Sequence, residues 1–313
     1  MTIILHYFLL VVVYLLFGSL GFFVHYFKTD IVYLLTIIFI AVGISSIIYD
    51  MIESKQYDIE PFYKKIYQNT DYILLSFLNY IRYLLFMIAV SFKDLGVVTA
   101  TYLSFPIFVM LFGLSIINYK PRMNEIIGVL VAFVGIIIIN FKSIMIIIHG
   151  KFNKIAIFSF LFPLLSALII SYIIISSKKY NELSANQYIE AIFIPVIPFV
   201  ILLCLFRNTK TIKKILHFIC IPYIKTNTGN IIKILLYGII IFYSSNLVLY
   251  SFIKKYTAVL ASILSYFSII AGFILKKYYF KNHIKYHEII GSLIILSGII
   301  LVSNHTFESN KIQ

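Results

Sequence analysis

Residues 125–138 read EIIGVLVAFVGIII, and residues 288–301 read EIIGSLIILSGIIL. Eight of the fourteen positions are identical at a constant offset of 163. Ile matches are cheap in an Ile-rich chain, but Glu and both Gly recur at the same spacing in a sequence with only 13 Gly and 12 acidic residues. An internal duplication accounts for this. Each copy closes a hydrophobic half, and duplicated hydrophobic halves that enclose something between them are the usual build of secondary transporters.

Composition removes the soluble alternatives. The chain is 61% apolar and 12% charged, with a mean hydropathy of +0.99, whereas soluble domains carry about 25% charged residues. The bilayer is its solvent. A formal charge of +14 would point to nucleic acid in a soluble protein. Here the Lys residues lie between apolar runs, where they anchor helix ends at the headgroups, so nucleic acid is not expected as a partner. The two cysteines, Cys204 and Cys220, have no paired spacing that would signal a disulfide or a metal, and they read as packing residues. The apolar N-terminal run lacks a basic leader and reads as a first span.

A window of about 20 residues, the length that crosses the hydrocarbon, yields ten predicted spans. They are 3–27, 31–52, 72–92, 95–117, 124–141, 154–177, 187–206, 231–252, 257–277 and 286–303. These are too long for barrel strands, so the backbone must satisfy itself as helix, giving an all-α membrane protein. The connection 207–230 contains an apolar patch, Leu216 to Ile224, that suits the interface. Five spans precede the middle and five follow it. An odd number per copy inserts the second copy upside down, so two five-helix inverted repeats are expected.

With those residues in view, the chain resembles the drug/metabolite transporter superfamily, and within it the EamA-like transporters. The resemblance rests on a fourth helix rich in small residues (Ala100, Ser104, Pro106) followed by the Gly128/Gly135 helix, and on Ala258, Ala261 and Ser265 followed by Gly291/Gly298. Phe17-Gly18-Ser19 is similar to the family's opening Trp-Gly-Ser, and the sixth span ends SALIISYIIISSKK, a small-residue helix closing on a basic pair. It departs where the family often has Glu, at Asn118 and Lys281, and where the second half lacks a Pro to match Pro106. The resemblance implies EamA-like repeats over 1–145 and 154–303, a short polar tail over 304–313, a bacterial inner membrane, cytoplasmic termini, and compatibility with a homodimer. It also implies a transport cavity lined by the third, fourth, eighth and ninth spans with the first and sixth.

The repeated glycines sit seven apart, on one helix face, and read as a packing face. Glu125 and Glu288 open their helices and read as caps or interfacial anchors rather than proton carriers.

Polar residues nominate a site. Placing Ser91-Phe92 on Ser251-Phe252, an offset of 160, puts Tyr83 on Tyr243. An offset of 161 puts Thr101 on Ser262 and Ser104 on Ser265, each pair spaced i, i+3. Matched hydroxyls on symmetry-related helices suit a midplane site, although Ser and Thr in membrane helices also bond their own preceding turn. Tyr243, Asn246 and Tyr250 add a polar-aromatic stripe to the eighth span.

Arg82 is the least expected residue. It falls near the centre of LLSFLNYIRYLLFMIAV, where a charge costs roughly 2.5–3.5 kcal/mol even on the lenient insertion scale. The acids nearest the spans (Asp30, Asp50, Asp71, Asp94, Glu182, Glu190) all fall near predicted ends. Asn79, one turn away, can accept one bond. A cavity-facing cation with no internal counter-ion suits an anionic or carboxylate-bearing solute. The alternative is that Arg82 snorkels to the headgroups or bonds helix carbonyls. The substrate-binding residues nominated are therefore Asn79, Arg82, Tyr83, Thr101, Ser104, Tyr243, Asn246, Tyr250, Ser262 and Ser265.

The chain has no GxxxxGK[ST] loop, so ATP-driven transport by this chain alone is not expected. Glu190 is the one weak candidate for a proton relay, so exchange or facilitated movement fits better. Neither a cofactor, a metal nor a catalytic residue is read. A lipid-modifying membrane enzyme would need an acid–base pair or metal cluster near the interface, and the seven His show no HxxxxD or HExxH. His283 and His287 beside Glu288 are the nearest approach to a metal set. A non-transporting scaffold would leave the paired polar positions unexplained. The expected partners are a small-molecule substrate and the lipid bilayer. Charge runs against the family's orientation: ten Lys or Arg fall on the side of the termini and fifteen on the other, with Arg82 inside a span.

Overall fold

The computed structural model describes residues 3–18, 26–27, 30–54, 64, 66–92, 95–148, 154–206, 230–278, 281 and 283–309. Among them there is helix and no strand. The first half runs α1 (Ile3–Gly18), α2 (Ile31–Ser54), α3 (Thr70–Phe92), α4 (Leu95–Tyr102), α5 (Phe105–Ile116) and α6 (Met123–Ile148). The second runs α7 (Lys154–Lys179), α8 (Ala185–Phe193), α9 (Ile197–Phe206), α10 (Ile231–Tyr237), a π-helical turn (Gly238–Tyr243), α11 (Ser244–Lys255), α12 (Ala258–Leu264), α13 (Phe267–Tyr278) and α14 (Tyr286–Ser309). Eight stretches are long and apolar enough to cross a membrane, and two shorter apolar helices, Leu5–Phe17 and Tyr286–Leu301, stand near the two ends. The chain is an integral membrane protein. Ser19, Cys220 and the Leu216–Ile224 patch lie outside the described residues.

Helix ends follow local chemistry. Asp30 Oδ1 accepts the amides of Val32 and Tyr33 at 3.0 and 3.2 Å, capping α2. Ser184 and Gln187 form a reciprocal capping box at the start of α8. Glu125 Oε2 accepts the Arg122 amide at 2.9 Å, and Glu288 Oε2 accepts the Lys285 amide at the same distance. Both glutamates therefore cap their own helices, as the sequence indicates. Seven residues before each Glu stands a left-handed non-glycine residue, Asn118 and Lys281, both with φ 52°. They are again 163 apart, so the backbone of the turn repeats where the family's usual Glu does not.

Helices α6 and α14 pack antiparallel through the repeated glycines. A Cβ on Gly135 would sit 2.5 Å from the Gly291 carbonyl oxygen, and one on Gly291 would sit 2.7 Å from that of Gly135. Similarly, a Cβ on Gly298 would meet the Gly128 carbonyl oxygen at 2.5 Å. Those distances are below contact, so the two backbones approach as closely as they do because no side chain intervenes.

Three predicted spans are broken rather than continuous. The fourth breaks at Leu103–Ser104, where Pro106 in the first turn of α5 cannot donate backward. The ninth has no Pro and breaks at Ser265–Tyr266. There Ser262, Ser265 and Ser268 each turn Oγ onto the carbonyl three residues back (Val259, Ser262, Ser265), and such side-chain bonds compete with the regular ladder. The seventh breaks at Ile194–Val196 beside Pro195. Its freed groups are taken up by α3: the Val196 amide donates to Ser76 Oγ at 3.1 Å, and the Ile192 carbonyl accepts Asn79 Nδ2 at 2.9 Å. Lipid offers no other partner for them. Two ends run longer than predicted, with α6 continuing to Ile148 and α14 to Ser309, through most of the expected polar tail.

Candidate functional site

At the third span the chain buries a full charge. Arg82 is 4% exposed and lies near the middle of α3. Its Nε donates to Asn79 Oδ1 at 2.8 Å, and one terminal nitrogen donates to the Tyr102 hydroxyl at 3.2 Å. Its guanidinium carbon stands 3.8 Å from the centre of the Tyr83 ring, a cation–π distance. The backbone is held as well: Ser166 Oγ, on α7, donates to the Arg82 carbonyl at 2.8 Å. No helix carbonyl accepts from the guanidinium among these bonds. The one ion pair among the described residues is Lys179–Asp71, half-exposed at 3.7 Å. Arg82 is thus oriented by neutral oxygens and a ring, none of which cancels its charge.

The guanidinium faces a cavity with about 60 Å³ of room for water-sized centres. Its wall is drawn from both halves: Tyr14 and Phe17 of α1, Tyr83 and Phe86 of α3, Thr99 and Tyr102 of α4, Ser166 and Ile170 of α7, Asn246 and Leu249 of α11, and Ser268 of α13. Leu103 and Ser265, at the breaks in the fourth and ninth spans, face it too. Discontinuous helices at a midplane cavity free backbone groups where a solute can use them. The six spans involved are the six that the family resemblance implies.

Of the ten nominated residues, Arg82, Tyr83, Asn246 and Ser265 line this cavity. Asn79 stands behind Arg82 and holds it. The other five are buried but do not line it. Thr101 Oγ1 donates to Asn140 Oδ1 of α6 at 2.9 Å. Ser262 bonds its own turn, the alternative noted for membrane serines. Ser104, 2% exposed, caps no amide at the start of α5. The Tyr243 hydroxyl donates to Asn186 Oδ1 at 2.8 Å, on the far side of the eighth span. Tyr250 packs edge-on to Tyr188, with ring centres 5.0 Å apart.

Backbone bonds at the two breaks correspond at an offset of 161, with Ser104→Thr101 matching Ser265→Ser262 and Ile107→Ser104 matching Ser268→Ser265, and also at 162, with Tyr266→Ile263 and Ile269→Tyr266. In the eighth span the cavity-facing pair Asn246/Leu249 stands 163 beyond Tyr83/Phe86, and the π-helical turn Gly238–Tyr243 precedes it. A shift of one residue turns a side chain by about 100° around a helix, enough to remove it from a cavity.

Glu190 also changes standing. Sequence places it near a span end, yet α8 packs against α2, α3 and α11 and buries it completely. One turn earlier, Asn186 Nδ2 bonds Asp50 Oδ1 at 2.5 Å and the Ser46 carbonyl at 2.9 Å. Two carboxyl groups are thus buried beside Tyr243, outside the Arg82 cavity.

Comparison with known proteins agrees with this architecture. The profile of the EamA-like transporter family matches residues 4–141, so the first half of the chain is similar to that family. A crystal structure described simply as that of a protein is similar over 96% of this chain and 96% of its own, with a TM-score of 0.66 at 12% identity, which shows the fold alone. No curated protein matches the chain.

Proposed function

We propose that the chain is a secondary transporter that carries a small anionic, carboxylate-bearing metabolite across the membrane by alternating access, with Arg82 as the counter-charge. The observation that carries this is a buried guanidinium, held by neutral groups, at a cavity walled by both halves. A permanent cation costs several kcal/mol in such a place unless something bound offsets it, and a solute carboxylate does so with bidentate geometry. Tyr83, Asn246 and Ser265 would contact the solute. Asn79, Thr101, Ser104, Tyr243, Tyr250 and Ser262 would support the surrounding helices.

The architecture we infer is ten spans in two inverted five-helix repeats, over 1–145 and 154–303. Support comes from the Asn118/Lys281 turns at the repeat's own offset, the paired breaks in the fourth and ninth spans, and the Gly135–Gly291 contact. The termini would be cytoplasmic and the membrane a bacterial inner membrane. Reporter fusions after Phe152 and after Gln313 test the orientation, which is lost if the Gln313 fusion reports outside. Complete burial of Glu190 favours proton coupling more than the sequence does. A Glu190→Gln variant whose flux ignores a proton gradient that drives the native protein would support that second reading.

The direct test is saturable flux in vesicles containing the purified protein, against a panel of anionic, zwitterionic and cationic metabolites. Preference for cations would overturn the anionic reading, and the absence of saturable flux of any solute would overturn transport.

A further inference from the structure

Several lysines at span ends are engaged by the protein itself. Lys178 and Lys254 donate to the carbonyls of Lys254 and Tyr180 at 3.1 and 3.2 Å, and Lys179 pairs with Asp71. Lys277, at the end of α13, differs. It is exposed, makes no ion pair among the described residues, and stands 5.5 Å from the ring centre of its neighbour Tyr278. Beside it a groove of about 350 Å³ runs between α13 and α14, more than twice the roughly 150 Å³ that holds a benzene ring.

The groove is apolar below and cationic at its mouth. Phe273, Ile274, Ile284, Ile289 and Leu293 line it. Its one lining serine, Ser292, is engaged, donating to the Glu288 carbonyl at 2.7 Å. Leu293 lies seven residues past Tyr286 on α14, about 10 Å further along the helix axis. The phenols of Tyr278 and Tyr286 are exposed and suit the headgroup level. The turn between the helices adds Lys281 and Lys285, both exposed. The single acid of 276–288, Glu288, is 1% exposed and spends its carboxylate on the Lys285 amide, so nothing acidic in that segment offsets the lysines at the surface.

The first repeat ties the same helix ends by packing. Tyr119 lies against Gly113 of α5, its Cβ 3.4 Å from where a Gly113 Cβ would stand, and its hydroxyl donates to Glu125 Oε2 of α6 at 2.7 Å. At the repeat offset of 163, Lys276 stands for Gly113, Lys277 for Leu114 and Asn282 for Tyr119. The second copy therefore carries cations where the first carries a small and an apolar residue. A water-soluble anion would match the lysines and leave the apolar wall uncovered, and an uncharged acyl chain would do the reverse. A lipid with an anionic headgroup matches both.

We propose that the α13–α14 groove is a binding site for one anionic phospholipid, with an acyl chain along Phe273, Ile289 and Leu293 and the phosphate on Lys277, flanked by Lys281 and Lys285. Native mass spectrometry of the detergent-purified full-length protein, titrated with phosphatidylglycerol or with phosphatidylcholine of the same chains, reads both stoichiometry and affinity. One phosphatidylglycerol should bind at least about tenfold more tightly than phosphatidylcholine. Lys277→Ala should weaken phosphatidylglycerol about fivefold and phosphatidylcholine less than about twofold, whereas Lys233→Ala, at an exposed lysine of α10, should change neither. Leu293→Asn should weaken both lipids alike, by at least about threefold, because it sets an amide against the chain. Equal binding of the two lipids by the native protein overturns the charge match. Lys277→Ala without effect, or Lys233→Ala equal to it, overturns the site in favour of diffuse headgroup anchoring. Leu293→Asn without effect overturns the groove. Inorganic phosphate that displaces phosphatidylglycerol at equal concentration overturns the lipid in favour of a soluble anion, and a dimer that Leu293→Asn dissociates, with no lipid bound, overturns it in favour of a second copy. None of these outcomes depends on Arg82 or on flux, so the site and the transport reading fail separately.

Discussion

Asn79 holds Arg82 with one end of its amide and the broken seventh span with the other. Its Oδ1 accepts the guanidinium Nε at 2.8 Å while its Nδ2 donates to the Ile192 carbonyl at 2.9 Å, at the turn where Pro195 interrupts the helix. A single fully buried side chain thereby ties the cation to a discontinuity between α8 and α9, an element that alternating access could move.

Asn79→Asp separates charge from geometry at this point. The carboxylate keeps the acceptor for Nε and supplies an internal counter-ion, so Arg82 no longer needs an external one. Flux of an anionic solute should fall at least tenfold with surface abundance retained. Asn79→Ala should be less severe for flux but should lower stability by about 1–3 kcal/mol, since the Ile192 carbonyl loses its partner. Normal anion flux in Asn79→Asp would contradict the assignment of Arg82.

Glycine contacts give a stability prediction independent of transport. Gly135→Ala and Gly291→Ala each place a methyl against backbone at 2.5 and 2.7 Å, which forces α6 and α14 apart and should cost about 1–3 kcal/mol. Gly113→Ala is the control, since its added Cβ meets nothing nearer than the Tyr119 Cβ at 3.4 Å. Thermal unfolding of the detergent-purified variants ranks them, and Gly113→Ala as damaging as Gly135→Ala would contradict the contact.

The capping glutamates should behave as structure, not as proton carriers. Glu125→Gln and Glu288→Gln each weaken a charge-assisted bond to the amide three residues back and should lower stability by about 1 kcal/mol. The pH dependence of flux should be unchanged in both, and a shifted profile in either would reassign it.

The legible part of this molecule was whatever depends on residue type and spacing alone. The glycine pairs announce a close helix contact because few other residues permit one, and Arg82 stands out because a charge amid Leu and Ile has few explanations. Asn246 rather than Tyr243 shares the cavity with Tyr83, and the π-helical turn Gly238–Tyr243 that precedes Asn246 carries no composition signal. The depth of Glu190 depends on three packed helices rather than on its distance from a span end. Tyr102 and Ser166, which orient Arg82, lie 20 and 84 residues from it in sequence. Only the fold brings them together, and in a chain with 25 Tyr neither stands out.

The measurement that bears most directly on the whole account is solute flux per molecule at the membrane surface for Arg82→Ala and Arg82→Lys beside the native protein. Removing a buried cation eases insertion, so Arg82→Ala should reach the membrane at normal abundance and carry an anionic solute at a rate at least tenfold reduced. Arg82→Lys should recover part of that rate, because an ammonium keeps the charge but not the two-pronged grip on a carboxylate. Near-normal flux in Arg82→Ala, or full replacement by Lys, would contradict Arg82 as the solute's counter-charge.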